Sequence, residues 1–180
     1  MPQVFLRQLN YNYMKTCAIT GHRFALLPFK QDENDPRCIQ LRRVLREHFT
    51  HLIEAEGVDR FLCGMALGSD QIAFEILIQL KHEFPHISLH AYIPCQEQYR
   101  KWSATQTARY RAILLHVDEI VCIGEEYTPM CMQKRNHAMV DACDILLAVY
   151  TQGTRGGTKA TIDYAIKKKR KLYCIDPQNI

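Results

Sequence analysis

Short apolar runs alternate along this chain with longer stretches in which apolar residues return every three or four positions. The first pattern fits strands buried on both faces and the second fits amphipathic helices, so the alternation predicts βα units feeding a parallel sheet. Thr16 to Thr20 reads as a first strand ending at Gly21. Asp35-Pro36 opens a helix, because Asp accepts from the free amides of a first turn and Pro suits the first helical position. Ile39, Val44, Leu45, Phe49, Leu52 and Ile53 form its stripe, and Gly57 stops it. Arg60 to Ala66 reads as a second strand. Leu67-Gly68-Ser69-Asp70 then turns into a helix whose stripe includes Ile72, Ala73, Ile76, Leu77 and Leu80. Ile87 to Ile93 is a third strand closed by Pro94, and Gln96 to His116 reads as one polar-faced helix carrying Trp102. Glu119 to Ile123 is a fourth strand ending at Gly124, and Pro129 to Ala142 is helical. Ile145 to Tyr150 is a fifth strand. The loop Gly153 to Thr158 leads into a helix from Lys159 to Lys168, and Leu172 to Ile175 is the last strand, stopped by Asp176-Pro177.

Six strands with helical crossovers predict an α/β fold: a Rossmann-like three-layer αβα sandwich around a mainly parallel, six-stranded, doubly wound sheet. At 180 residues the chain has the length of one domain, placed at 14–180. Residues 1–13 fit no βα unit and read as an N-terminal extension or an artefact of the start site.

Composition narrows the function classes. An apolar share of 47% with 23% charged residues is ordinary for a globular domain. No apolar stretch approaches the roughly 18–20 residues that cross a bilayer, and the first residues lack the basic start and apolar centre of a secretory signal. A cytoplasmic protein without membrane contact is expected. The net charge of +4 suits a small anionic ligand and argues against nucleic acid as a partner. The only dense basic run, Lys167 to Lys171, falls at a helix C-terminus, where cations complement the helix dipole. The eight cysteines contain no Cys-x-x-Cys pair, so neither a metal nor a disulfide framework is expected. Cys17, Cys63, Cys122 and Cys174 sit in strand runs and read as core residues. A homo-oligomer stays open.

In an open α/β sheet ligands bind beyond the carboxyl ends of the strands, near the point where strand order reverses. After the first strand come Gly21, His22 and Arg23, a turn with a planar guanidinium suited to phosphate or carboxylate. After the second come Gly64, Gly68, Ser69 and Asp70, which can bare amides to an anion or simply cap a helix. Three glycines and two threonines fall within Gly153 to Thr158. There Gly153, Gly156 and Gly157 can follow a phosphate with the main chain while Thr154, Thr158 and Arg155 close around it. Arg135 and Asn136 begin near the same end. Arg135 shares a helix face with Met132 and Met139, and reads equally as a ligand clamp or a solvated charge. His137 reads as exposed. The spacing is neither a Walker A loop nor Gly-x-Gly-x-x-Gly, and no Ser-His-Asp or Cys-His set assembles, so no catalytic residue is assigned. No cofactor is required, although a nucleotide-type ligand fits.

Taken together, Gly21-His22-Arg23, Gly64-x-Ala66-x-Gly68-x-Asp70 and the stretch from Arg135 to Tyr164 resemble the SLOG superfamily, most closely its small YpsA-like members. The resemblance runs from about Cys17 to Pro177. It implies a pocket for a nucleotide or a nucleotide-derived, ADP-ribose-like ligand. A related branch, the cytokinin-activating phosphoribohydrolases, carries Arg-Lys-x-x-Met, then Asp before a strand, then Pro-Gly-Gly-x-Gly-Thr-x-x-Glu. This chain is similar at Arg135, Met139, Asp144, Gly157 and Thr158. It departs at Asn136 in place of Lys, Tyr150 in place of Pro, and Thr161 in place of the Glu thought to cleave the N-glycosidic bond. Threonine cannot stabilise an oxocarbenium-like sugar or act as a base near neutral pH. Binding or sensing is therefore expected ahead of N-glycosidase activity, for which Glu75 or Asp70 would have to substitute.

Overall fold

The computed structural model describes Tyr13–Ile180, so all of the proposed extension except Tyr13 lies outside the described residues. Six parallel strands form one sheet: β1 (Lys15–Gly21), β2 (Val58–Cys63), β3 (Ser88–Ile93), β4 (Glu119–Cys122), β5 (Ile145–Val149) and β6 (Lys171–Ile175). Between them run α1 (Pro36–Glu54), α2 (Ser69–Glu83), α3 (Ala104–Leu114), α4 (Cys131–Asp141) and α5 (Gly157–Lys167). The strand order is β4-β3-β2-β1-β5-β6. The chain winds outward from β1 to β4, returns through α4 to the other side of β1, and continues to β6. This is the doubly wound α/β sandwich that the alternation predicts.

Strand alternation separates two cores. Cys17, Ile19, Phe61, Cys63, Leu147 and Val149 face α1, α2 and α3, while Ala18, Leu62, Leu146 and Ala148 face α4 and α5. The interior strands β1 and β5 are buried throughout their middles, as a sheet covered on both faces requires. Local chemistry fixes the helix starts. Asp35 accepts the Arg37 amide at 2.8 Å with Pro36 opening α1. Glu33, Arg42, Glu75 and Arg109 form a four-membered ion network joining the loop before α1 to α1, α2 and α3.

Several readings need correction. Gln96 to His116 is not one helix: α3 begins at Ala104, capped by Ser103, whose hydroxyl accepts the Gln106 amide while the Gln106 side chain accepts from the Ser103 amide. Residues 96–101 are turns. The last helix begins at Gly157 rather than Lys159, inside the glycine loop. Cys122 and Cys174 are exposed because β4 and β6 are the edge strands, and Ile39 projects from α1 at 58% exposure. Among the described residues no helix is long and apolar enough to cross a membrane, and no three His, Cys, Asp or Glu side chains are grouped to hold a metal.

Candidate functional site

Strand order reverses between β1 and β5, so the connections leaving these neighbours diverge to opposite faces and open a crevice between them. A cavity of about 380 Å³ lies there. Gly21, His22 and Arg23 line it from the end of β1, and Gly64 from the end of β2. Asp70 enters from α2, and Arg135 and Asn136 from α4. Arg155, Gly156, Gly157 and Thr158 close it at the start of α5. The three glycine turns read from the sequence thus meet at one hollow.

Arg135 is the unusual member. It is only 4% exposed, so it is not a solvated charge. Its Nη1 donates to the carbonyl of Gly64 and, at 3.4 Å, to that of Tyr92. Its Nε has no partner, and no carboxylate forms a salt bridge with it among the described residues. Gly64 is required by this approach: a Cβ there would stand 1.8 Å from Nη1. Burial pushes the guanidinium pKa down, with Asp70 opposing. Asp70 is itself buried and accepts the Ala66 amide at 3.1 Å. Burial pushes its pKa up to about 6, with Arg135 opposing. An incompletely paired cation and a carboxylate that resists ionisation therefore share one floor.

Asp70 carries a stability consequence of definite sign. The folded chain keeps this proton up to about pH 6, whereas an unfolded chain loses it near 3.8. Between those values the folded state binds more protons, so rising pH destabilises, reaching about 3 kcal/mol at pH 7. Asp70→Asn is expected to exceed the parent in stability by up to about this amount at pH 7 and to converge with it below pH 4. Urea unfolding of both proteins at pH 4, 5.5 and 7 measures the difference. Acids held low by their partners, such as Glu33 and Asp118, cancel in it. A constant offset across the series would remove the buried-carboxylate account.

Other residues read from the sequence take up bracing roles. The Ser69 hydroxyl and amide both donate to the His22 carbonyl, at 2.8 and 3.1 Å, and neither Ser69 nor Gly68 lines the cavity. His22 Nε2 accepts the Thr151 amide at 2.9 Å, so the ring proton sits on Nδ1, which has no partner among the described residues. Burial pushes the imidazole pKa down, Asp176 opposing, which keeps the ring neutral. Thr154 donates to the Thr151 carbonyl at 2.8 Å, and neither it nor Gly153 lines the cavity. Thr158 donates to the Gly21 carbonyl at 3.0 Å, joining the first and last turns. No side chain caps α5, whose cap residue is Gly156, so its first amides have no side-chain acceptor among the described residues.

The residues matched to the phosphoribohydrolase branch separate. Asn136 and Thr161 contact each other, Nδ2 to Oγ1 at 2.8 Å, and Thr161 donates onward to the Gly157 carbonyl. Where that branch has Lys and Glu, this chain has one neutral hydrogen-bonded pair. Asp144 lies at the opposite, amino end of the sheet, accepting the Thr16 amide at 2.9 Å. Glu75 is held in the four-membered ion network. Lys167 to Lys171 also lies away from the cavity, at the end of α5 and the start of β6, and His137 is stacked on Tyr164 at 3.8 Å rather than exposed. Sequence reasoning missed Ala25 and Leu26, which wall the cavity beside Arg23 and have no chemistry that marks them.

Comparison with known proteins agrees with this architecture. The YpsA model, described as the YspA SLOG family, matches residues 17–179. The SPbeta prophage-derived protein YoqJ of Bacillus subtilis is 35% identical over 145 residues, covering 74% of this chain and 84% of that protein. A UPF0398 protein of Bacillus thuringiensis is 29% identical over 158 residues, covering 86% of this chain and 84% of its own length. Among solved structures, DNA processing protein A of Streptococcus pneumoniae is similar with a TM-score of 0.62 at 16% identity, over 91% of this chain and 50% of that one. DNA processing protein A of Helicobacter pylori, described for its single-stranded DNA binding mode, gives 0.60 at 16% identity, over 90% and 65%. These two share the fold, and the chain spans half to about two thirds of their length.

Proposed function

The chain belongs to the YspA SLOG family, and we propose that it binds a phosphorylated nucleotide-type ligand over the ends of β1, β2 and β5. One observation carries the reading: Arg135 is buried on the cavity floor without a carboxylate in salt-bridge range among the described residues. A desolvated cation costs several kcal/mol unless an anion completes its shell. The uncapped N-terminus of α5 faces the same space, and anions are stabilised at such ends by free amides and the helix dipole. Arg23 and Arg155 are exposed at the rim and can close on a second phosphate or a ribose.

The net charge argued against nucleic acid, but it averages over the whole chain, whereas this cavity gathers three arginines. A nucleotide within a single strand offers the same phosphate, and the Helicobacter pylori neighbour is described as a single-stranded DNA binder. The test panel is therefore ADP-ribose, NAD, AMP and a short single-stranded oligonucleotide. Ligand at 100 times its Kd stabilises by about 2.7 kcal/mol, which raises the melting temperature of a chain this size by roughly 5–10 °C. Gly157→Glu is the control. A Cβ at Gly157 meets nothing within 4 Å, and a carboxylate in a first helical turn is favourable, so the variant should fold normally while repelling the anion. No shift from any member of the panel would remove the reading.

Asp70 favours a second reading as a nucleotide N-glycosidase. A carboxyl with a pKa near 6 inside the cavity has the protonation behaviour of a general acid. Release of free base from AMP or NAD, abolished in Asp70→Asn, would support it. Intact substrate after prolonged incubation at high protein concentration would leave binding alone.

A further inference from the structure

The turns at residues 96–101, which periodicity read as helix, build a second hollow of about 320 Å³ beside the first. Gln98 and Trp102 line it from this segment, and Tyr127 lines it from the connection between β4 and α4. Arg23 and Met132 line both hollows, which therefore adjoin across these two side chains. Trp102 is held edge-on against Tyr110, with ring centroids 5.4 Å apart at 89°, yet remains only half-buried. Tyr127 is 68% exposed. Gln98 is the reverse: at 7% exposure, its Nε2 donates to the Gly64 carbonyl at 3.2 Å, which fixes the amide and leaves Oε1 without a partner among the described residues. The carbonyl held by Gln98 is the one held by Arg135, so the end of β2 anchors a polar group toward each hollow.

We propose that the second hollow receives the heterocyclic base of the ligand whose phosphate occupies the first. This rests on the binding function above and deepens it by assigning the base of the nucleotide-type ligand a place of its own. Aromatic rings at a wall next to a phosphate-binding floor match the composition of a nucleotide, which is a flat π-face joined to an anion by a short sugar. Stacking on such rings tightens binding by about 10- to 100-fold for each base. A buried acceptor without a donor is unfavourable in the empty protein, and Gln98, which lines this hollow, carries one. At the same wall Arg100 is paired with Glu97 at 3.4 Å, which leaves Lys101 as the added positive charge beside the phosphate.

Trp102 is the only tryptophan in the chain, so its emission reports on this hollow. The probes are AMP and ribose 5-phosphate, which share the phosphate and sugar and differ by the base. Ribose 5-phosphate is expected to raise the melting temperature without changing the emission. AMP is expected to quench it and to bind 10- to 100-fold more tightly by calorimetry. Trp102→Ala should bring AMP down to the affinity of ribose 5-phosphate and leave the latter unchanged. Trp102→Phe, which keeps an aromatic against Tyr110, should retain most of the preference and guards against misfolding. Equal affinity for the two probes, or AMP binding with unaltered emission, overturns the base site and leaves the phosphate site standing. Failure of both probes and of the wider panel removes the binding function, and the base site with it.

Discussion

Replacing Arg135 by Met is expected to abolish ligand binding while leaving the empty protein as stable as the parent or more so. Two effects of opposite sign set this outcome. In the empty chain the guanidinium is almost fully removed from water, its Nε is unpaired, and burial pushes its pKa down. Replacing a buried ion by an apolar side chain of similar length is often neutral or favourable, by about 1–4 kcal/mol. Met132 and Met139 lie on the same face of α4 and offer matching surroundings. The Gly64 carbonyl is not orphaned, because Gln98 still donates to it. In the complex, loss of a desolvated cation from beside a phosphate costs about 2–5 kcal/mol, a fall in affinity of roughly 30- to several-thousand-fold. The variant should therefore melt at or a few degrees above the parent and show no shift with ADP-ribose or AMP. A melting temperature several degrees lower together with intact binding would mean that Arg135 is a structural brace and the anion sits elsewhere.

The sequence shows the order of elements clearly and their surroundings poorly, for physical reasons that differ from place to place. A strand covered on both faces has to be apolar at successive positions, so β1 and β5 announce themselves. Which strands form the edges is decided by strand order, a tertiary property, and this is why Cys122 and Cys174 read as core yet stand exposed. The segment before α3 shows apolar residues at helix-like intervals because Tyr99 and Trp102 pack against Tyr110 from turns. The boundary is nevertheless written locally, in the Ser103-x-x-Gln106 capping box, which stops helix propagation upstream more reliably than periodicity predicts it. The glycine turns marked the end of the sheet at which the cavity lies. The burial of Arg135 did not show, since helical spacing gives a residue's companions on a face but not whether that face turns inward. The aromatic hollow followed the misread segment and was invisible with it.

Gly68→Ala is expected to cause a large loss of stability through main-chain contacts that no side-chain movement relieves. The backbone at Gly68 lies at φ +106° and ψ −128°, a region that residues with a Cβ rarely adopt. That strain alone is worth about 1–3 kcal/mol. The space is also closed. An added Cβ would lie 2.7 Å from the His22 carbonyl oxygen, 2.8 Å from the Phe24 nitrogen and 2.9 Å from the Arg23 Cα. All three are main-chain atoms, so no side-chain rotation relieves the contact, and the turn after β1 must move away from the start of α2. That movement pulls the His22 carbonyl from the Ser69 hydroxyl and amide, a further loss of about 1–2 kcal/mol. The total is about 4 kcal/mol, or roughly 10 °C in melting temperature for a domain of this size. Gly153→Ala supplies the comparison. It also has positive φ, +87°, but a Cβ there meets nothing within 4 Å, so only the backbone strain of about 1 kcal/mol remains. The displaced turn carries Arg23, so Gly68→Ala should also weaken AMP binding, while Gly153→Ala should affect it far less. Melting curves of the two variants within about 3 °C of each other would show that the close passage of the β1 turn over α2 does not govern this position.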